Sequence, residues 1–224
     1  MASEIVLCVA PHPDDETLGC GGTLLRHVAR GDAVHWLIIT SMHPADGFQP
    51  SRIDARNAEI ERVAAAYGFA GVHRAELPTT RLDTLPKSRV VDAVSAVMKQ
   101  VQPTTVYLPY RNDAHSDHAV VADATTACCK SFRYPSVRRV RVYETPSETE
   151  FGMRVDDRGF HPNLFVDVSG WVDRKIEIMR MFAGEMHDAP FPRSETVMRA
   201  LATFRGTVAG VAAAEAFITL REFE

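Results

Sequence analysis

The chain has 224 residues and a formal net charge of −4, with 25 basic and 29 acidic side chains. This length suits one domain over residues 1–224, and an apolar fraction of 46% is enough for a full core. The slightly acidic balance gives no support to a nucleic-acid partner or to binding on an anionic membrane. We find no apolar run as long as a membrane span, and we expect no signal peptide at the N-terminus.

Apolar runs alternate with helical patterns along the chain. Strands are predicted at 4–10, 33–40, 71–77 and 104–109, with helices over 19–31, 54–69, 87–101 and 116–132. Further strands near 140–145, 163–169 and 214–220 and helices near 170–183 and 194–204 follow. This alternation predicts an α/β, Rossmann-like sheet, mostly parallel, with helices on both faces.

Four cysteines are present, namely Cys8, Cys20, Cys128 and Cys129. They show neither CxxC spacing nor the pattern of a disulfide framework. We expect all four to be reduced, which favours a cytoplasmic protein. The oligomeric state stays open, so a homo-oligomer is compatible with the sequence.

The stretch "GCGGTL", residues 19–24, has glycines near the spacing of a dinucleotide-binding loop. Leu24 occupies the position of the final small residue, and no acid ends the second strand to hold a ribose. These two departures argue against nicotinamide binding. We expect the glycines to let the helix pack close to the loop before it.

Two polar stretches directly follow the first and fourth strands: "HPDDE" at 12–16 and "RNDAHSDH" at 111–118. In the common doubly wound order these two strands are neighbours, and ligands bind in the crevice at their carboxyl ends. The side chains expected to converge there are His12, Asp14, Asp15, His115, Asp117 and His118.

A divalent metal explains how neighbouring acids are tolerated, because it offsets their repulsion. Two histidines and one carboxylate form a known catalytic zinc arrangement, here His12, Asp15 and His118. Asp14 is then left as a general base for the attacking water. Zn²⁺ suits these ligands, and Fe²⁺ or Co²⁺ could replace it.

The second stretch supplies two further candidates. His115, as an imidazolium, could stabilise an oxyanion or protonate a leaving nitrogen, and Asp117 could hold a ring in orientation. The set as a whole could hydrolyse an amide. The alternative is that these acids cap helices: Asp14, Asp15 and Glu16 for the first helix, and Asp113 and Asp117 for the fourth.

With both motifs in place, the chain resembles the PIG-L/LmbE-like family of zinc-dependent N-acetylglucosaminyl deacetylases. "PHPDDETLGCGGTL" is close to the first motif of that family, and "HSDH" matches the second with Ser116 in place of proline. Weaker similarity continues through "ARNAE", "VYET", "VDVS" and "FRGTVAGVAAAEAF", so that it covers essentially the whole chain.

The resemblance implies an LmbE-like fold and the same residue assignment. His12, Asp15 and His118 would be the metal ligands and Asp14 the base, with His115 and Asp117 as a helping pair. Arg56 looks like the family arginine that contacts substrate hydroxyls. Its alternative role is a surface cation paired with Glu59 or another acid.

Two departures from the family affect what can be carried over. The segment "RKIEIMRMFAGEM", which helps shape the mouth of the site, lacks the Ser-Gln often found there, so the substrate stays open. Where some relatives have a tyrosine that polarises the carbonyl, Asp113 lies nearby and Tyr110 is three residues earlier. His115 is therefore expected to take more of that role.

The resemblance thus implies a metal-dependent hydrolase that removes an N-acetyl or similar acyl group from a small amino-sugar substrate. The alternative is a non-catalytic metal- or sugar-binding domain that keeps the fold. Retention of Asp14 favours the enzyme, since a bare metal site has no need of this second carboxylate.

Overall fold

The computed structural model describes residues 3–153 and 158–223. The strands are β1 (Ile5–Ala10), β2 (Ala33–Ser41), β3 (Gly71–Pro78), β4 (Thr105–Pro109), β5 (Arg139–Tyr143), β6 (Leu164–Asp167) and β7 (Ala214–Glu222). The α-helices are α1 (Asp15–Ala29), α2 (Pro50–Tyr67), α3 (Lys87–Val101), α4 (Ser116–Ala127), α5 (Val172–Met179) and α6 (Glu195–Ala209).

The seven strands form one sheet in the order β3-β2-β1-β4-β5-β7-β6. The first five pair in parallel, whereas β7 runs antiparallel to both β5 and β6. The predicted mostly parallel α/β sheet is confirmed, and so is the predicted neighbouring position of β1 and β4.

Helices cover both faces of the sheet, which explains the continuous apolar runs in the central strands. In β1, Val6 and Cys8 pack with side chains of α1, α2 and α5, whereas Leu7 and Val9 pack with those of α3 and α4. The strand is therefore buried on both sides. Every helix within the described ranges is too short or too polar to cross a membrane.

Helix α1 begins earlier than the sequence pattern predicted, at Asp15, and it is kinked at Cys20 (φ −141°, ψ 20°). The kink frees backbone N–H groups, and the Glu215 carboxylate of β7 accepts hydrogen bonds from the N–H groups of Gly22 and Thr23, at 2.9 and 2.7 Å. Lys175 donates to the same carboxylate at 2.7 Å.

The glycines of α1 permit close packing, but their nearest neighbours are not in the preceding "HPDDE" loop, where we expected them. A Cβ at Gly19 would lie 2.2 Å from the ring of Tyr143 on β5, and one at Gly22 would lie 2.9 Å from the Val168 side chain. These glycines therefore bring the helix close to β5 and to the residue that follows the end of β6.

Candidate metal centre and active site

The two polar stretches meet at the carboxyl ends of β1 and β4, because these strands pair from Val6 opposite Thr105 onward. The ring centroids of His12 and His115 are 4.4 Å apart, and each lies 5.6 Å from that of His118. The predicted convergence of these residues is thus present in the structure.

One atom from each of His12, Asp15 and His118 could serve as a metal ligand, and the three atoms lie within 4.8 Å of one another. His12 Nδ1 is 3.2 Å from Asp15 Oδ2, and His118 Nε2 is 3.4 Å from the same oxygen. Separations of this size suit ligands that share one small cation, since zinc–nitrogen and zinc–oxygen bonds are about 2.0–2.2 Å.

The orientation of His118 fits a metal ligand. Its Nδ1 lies 2.7 Å from Asp113 Oδ2, and Asp113 is held in turn by the Thr149 hydroxyl at 2.6 Å. His118 Nε2 is buried and has no hydrogen-bond partner among the described residues. A carboxylate on one ring nitrogen that leaves the other free is the usual support of a metal-bound histidine.

Asp117 supports His12 in the same way. Its Oδ2 is 3.0 Å from His12 Nε2, which leaves Nδ1 of that ring facing Asp15. Asp117 also accepts the backbone N–H groups of Thr80 and Leu82, at 2.8 and 3.0 Å. Asp117 is therefore an orienting carboxylate, and the ring it holds is that of His12.

His115 caps helix α4, because its Nδ1 accepts a hydrogen bond from the backbone N–H of Asp117 at 3.1 Å. A neutral ring with this acceptor carries its proton on Nε2. Burial, with the charge of His12, lowers the pKa of His115 to about 4. The structure therefore favours a neutral His115 over the expected imidazolium.

Asp14 sits at the entry to α1 with φ 135°, a conformation that is rare for residues other than glycine. Its side chain makes no capping hydrogen bond to the helix, so the capping alternative is wrong for this residue. Burial and the charge of Asp15 raise the pKa of Asp14 to about 7, against the opposing charge of Arg193.

The third acid of "HPDDE" points away from the metal site. Glu16 is fully buried, accepts the backbone N–H of Asp14 at 3.1 Å and binds the Thr17 hydroxyl at 2.6 Å. Burial raises the pKa of Glu16 to about 8, so the motif does not place three charges side by side.

The electrostatic field of the site favours positive charge. Burial acts to lower the pKa values of His12 and His118, but the hydrogen bonds of His12 to Asp117 and Asp15 and the charge of Asp15 beside His118 outweigh it. The pKa of His12 is raised to about 9 and that of His118 to about 10. The carboxylates around the two rings therefore favour positive charge at this position.

A cavity of about 520 Å³ opens over the site, and Asp14, Asp15 and His115 form part of its floor. Arg56 lines it, but this residue is buried rather than a surface cation. The Arg56 guanidinium pairs with Glu59 at 3.2 Å and with Glu185, and it donates to the Pro13 carbonyl at 3.3 Å.

Three cavity residues were not identified from the sequence: Glu148, Glu185 and Arg193. Arg193 Nη1 lies 3.0 Å from Asp14 Oδ2 and 3.0 Å from Glu185 Oε2, and its Nη2 is 3.5 Å from Glu148. None of the three belongs to a histidine motif: Glu148 lies in the loop after β5, and the other two lie between α5 and α6. The segment "RKIEIMRMFAGEM", which departs from the family pattern, contains Glu185 and could have pointed to this part of the cavity.

Comparison with known proteins gives three relevant similarities. The chain is 28% identical over 227 residues to the diacetylchitobiose deacetylase of Thermococcus kodakarensis, which covers 92% of this chain and 79% of the relative. The N,N'-diacetylchitobiose deacetylase of Pyrococcus horikoshii superposes with a TM-score of 0.77 at 21% identity, covering 98% and 84% of the two chains.

A third protein, the 4-carboxy-2-hydroxymuconate hydratase GalB of Pseudomonas putida KT2440, superposes with a TM-score of 0.75 at 18% identity, covering 99% and 98% of the two chains. At this identity the likeness concerns the fold alone. The model of the family PIG-L, described as GlcNAc-PI de-N-acetylase, matches residues 7–129, more than half of the chain. The chain belongs to the PIG-L family.

Proposed function

We propose that this protein is a metal-dependent deacetylase that hydrolyses the N-acetyl or a similar N-acyl amide of a small amino-sugar substrate. The observation that carries the proposal is the joint placement of a His-Asp-His ligand set and a separate carboxylate, Asp14, on the floor of one cavity. Membership of the PIG-L family and the similarity to a diacetylchitobiose deacetylase support the reaction class.

His12, Asp15 and His118 would hold the metal, and we propose zinc. The donor set of two imidazoles and a carboxylate suits zinc, while Fe²⁺ or Co²⁺ are acceptable substitutes. The buried, unpartnered Nε2 of His118 supports this fit. When bound, the ion would lower the pKa of a water molecule and polarise the amide carbonyl.

Asp14 takes the proton of the attacking water and passes it to the leaving nitrogen. Arg193 contacts Oδ2 of Asp14, and among the described residues no hydrogen bond reaches the other oxygen, Oδ1. A carboxyl group whose pKa lies near 7 can serve first as base and then as acid near neutral pH.

His115 and Asp117 assist in different ways. The neutral His115 ring, fixed through Nδ1, can donate its Nε2–H to the carbonyl oxygen as negative charge develops there. Asp117 orients His12 and does not line the cavity, so it acts through the metal ligand.

Arg56 lies in the wall of the same cavity, and we propose that it binds hydroxyl groups of the sugar. Its guanidinium is held by two carboxylates and a carbonyl, so its direction is fixed before substrate enters. The cavity volume lies within the usual range for small-molecule sites.

The proposal is tested by incubating the purified protein with a panel of N-acetylated mono- and disaccharides and measuring free amine and acetate. Equal release of both products, abolished by a chelator and restored by zinc, is the expected result. Metal binding without release of either product from any sugar would favour the non-catalytic binding domain. A separate assay uses an unsaturated carboxylic acid. Loss of its double bond, with no acetate released from any sugar, would indicate a hydratase.

A further inference from the structure

Arg193 connects the general base to a segment that is distant in the chain. This residue directly precedes Ser194, which is buried and caps α6 by accepting the N–H of Val197 at 3.3 Å. The backbone at Arg193 is therefore fixed by the start of a helix. Its side chain extends back over the cavity floor and is 19% exposed.

The contacts of the guanidinium use all three nitrogen atoms. Nη1 donates to Asp14 Oδ2 and to Glu185 Oε2, each at 3.0 Å, and Nε donates to the Ser147 hydroxyl at 2.8 Å. Nη2 lies 3.5 Å from Glu148 Oε1. Only a planar guanidinium can reach acceptors in these several directions at once, since a lysine ammonium is a single point charge.

The carboxylate that Arg193 touches has little else to hold it. Asp14 makes no capping bond with α1, and its backbone has the uncommon φ of 135°. Its N–H is fixed by Glu16, but among the described residues its side chain has Arg193 as its hydrogen-bond partner. The rotamer of this base thus depends on a residue from the α5–α6 connection.

We propose that Arg193 is a positioning residue for Asp14, holding its carboxylate through Oδ2 so that Oδ1 faces the reacting water. This inference rests on the proposed function and adds to it a role for a residue outside both motifs. Misplacing a reacting group by about 1 Å can cost roughly 100-fold in rate. If Arg193 only linked the segments that contain Asp14, Ser147 and Glu185, its replacement would lower the free energy of unfolding without a specific effect on kcat.

The test uses zinc-loaded wild type, Arg193→Ala and Arg193→Lys, with Arg52→Ala as the matched control. Arg52 also faces Glu185, at 3.7 Å, but does not touch Asp14. With the best N-acetylated sugar of the panel, we expect Arg193→Ala to keep its zinc and its KM while kcat falls about 10- to 100-fold. Added guanidinium at non-denaturing concentration should restore part of kcat in Arg193→Ala and in no other variant, and sodium chloride should not.

A wild-type kcat in Arg193→Ala would overturn the proposal, as would a loss that guanidinium does not restore. If Arg193→Ala does not fold, Arg193→Lys decides: we expect a reduced kcat with unchanged KM, and an unchanged kcat would contradict the inference.

Failure of the proposed function is recognised separately, because the wild type would then release acetate from no sugar. In that case a double-mutant cycle of Arg193→Ala and Asp14→Ala in denaturant unfolding tests the contact itself. We expect the two changes to be non-additive, and strict additivity would remove the basis of the positioning role.

Discussion

Asp14 and Asp15 are adjacent in the chain, yet their carboxylates have different partners. Asp15 faces two imidazole rings, and the charge of His118 holds its pKa well below the usual range against the effect of burial. Asp14 faces Arg193, and burial raises its pKa to about 7. One neighbour is therefore suited to bind a cation and the other to exchange a proton.

Proton release on metal binding follows from the two raised histidine pKa values. At pH 7.5, below the pKa values of about 9 and 10, His12 and His118 both carry a second ring proton in the metal-free protein. A metal ligand must be neutral imidazole, so zinc binding should release about two protons per ion. Calorimetric titration in buffers of different ionisation enthalpy measures this number.

The control for that measurement is His118→Ala, which should release fewer protons and bind zinc more weakly. Release close to zero from the wild type would mean that zinc does not bind through these two rings.

Arg56 differs from the surface cation considered as its alternative role, since it is buried against Glu59 and Glu185. Replacement by alanine would leave the buried Glu59 without its ion pair, although Glu185 would keep Arg193, so Arg56→Lys is the better substitution. Lysine keeps the charge but loses the planar set of donors. We expect KM for an amino-sugar amide to rise about tenfold with little change in kcat, as for lost uniform binding.

Steady-state kinetics check this prediction. The control is Arg74→Lys, at a cavity arginine that contacts Asn57. An unchanged KM in Arg56→Lys would assign Arg56 to a structural role.

Most of the metal site could be predicted at the level of residues, because its members lie in two short motifs after neighbouring strands. The orienting role of Asp113 and the role of Arg193 could not. Asp113 was considered as a helix cap, and only the fold shows that it faces His118. Arg193 comes from a loop without strand or motif, so its position depends on the packing of α6.

At the scale of elements, the kink in α1 shows how distant parts of the chain support the metal loop. The buried Glu215 accepts two backbone N–H groups at the kink and pairs with the half-buried Lys175. Glu215→Ala leaves two backbone N–H groups without their acceptor and removes the anionic partner of Lys175, which keeps the Leu18 carbonyl. We expect the free energy of unfolding to fall by about 3–5 kcal/mol, the usual cost of breaking a buried pair.

Denaturant unfolding of Glu222→Ala gives the matched control. Glu222 lies on the same strand, is 39% exposed at its side chain and pairs with Arg139. Its loss should cost no more than about 1 kcal/mol. Equal losses in the two variants would mean that the Glu215 network does not stabilise the kink.

The sequence pattern predicted the element order and the parallel half of the sheet well, since helices separate β1 through β4. It placed the start of the first helix at Gly19 instead of Asp15, because the polar residues of "HPDDE" are typical of a loop; the three glycines that follow have low helix propensity. The fixed acceptor Glu215 compensates for this low helix propensity. The antiparallel direction of β7 was likewise not determined by local pattern.

At the scale of the whole molecule, the sheet brings the start and the end of the chain together. The first strand, β1, and the last, β7, which ends at Glu222, belong to one seven-stranded sheet. We therefore propose that residues 1–224 form one domain. The catalytic cavity takes its floor from the first and fourth strand ends and part of its wall from the α5–α6 connection. The floor is formed by the two histidine motifs, whereas the α5–α6 connection lies outside them.

If Asp15 binds the metal and Asp14 performs the proton transfer, single variants of the two residues should lose activity for different reasons. We expect Asp15→Ala to lose metal and activity together. Asp14→Asn should keep about one zinc per chain, as expected of a residue that is not a ligand, while kcat falls by roughly two to four orders of magnitude. Elemental analysis and steady-state rates on the same preparations provide the measurement. Equal metal loss in both variants, or a wild-type rate in Asp14→Asn, would mean that these two roles are assigned wrongly.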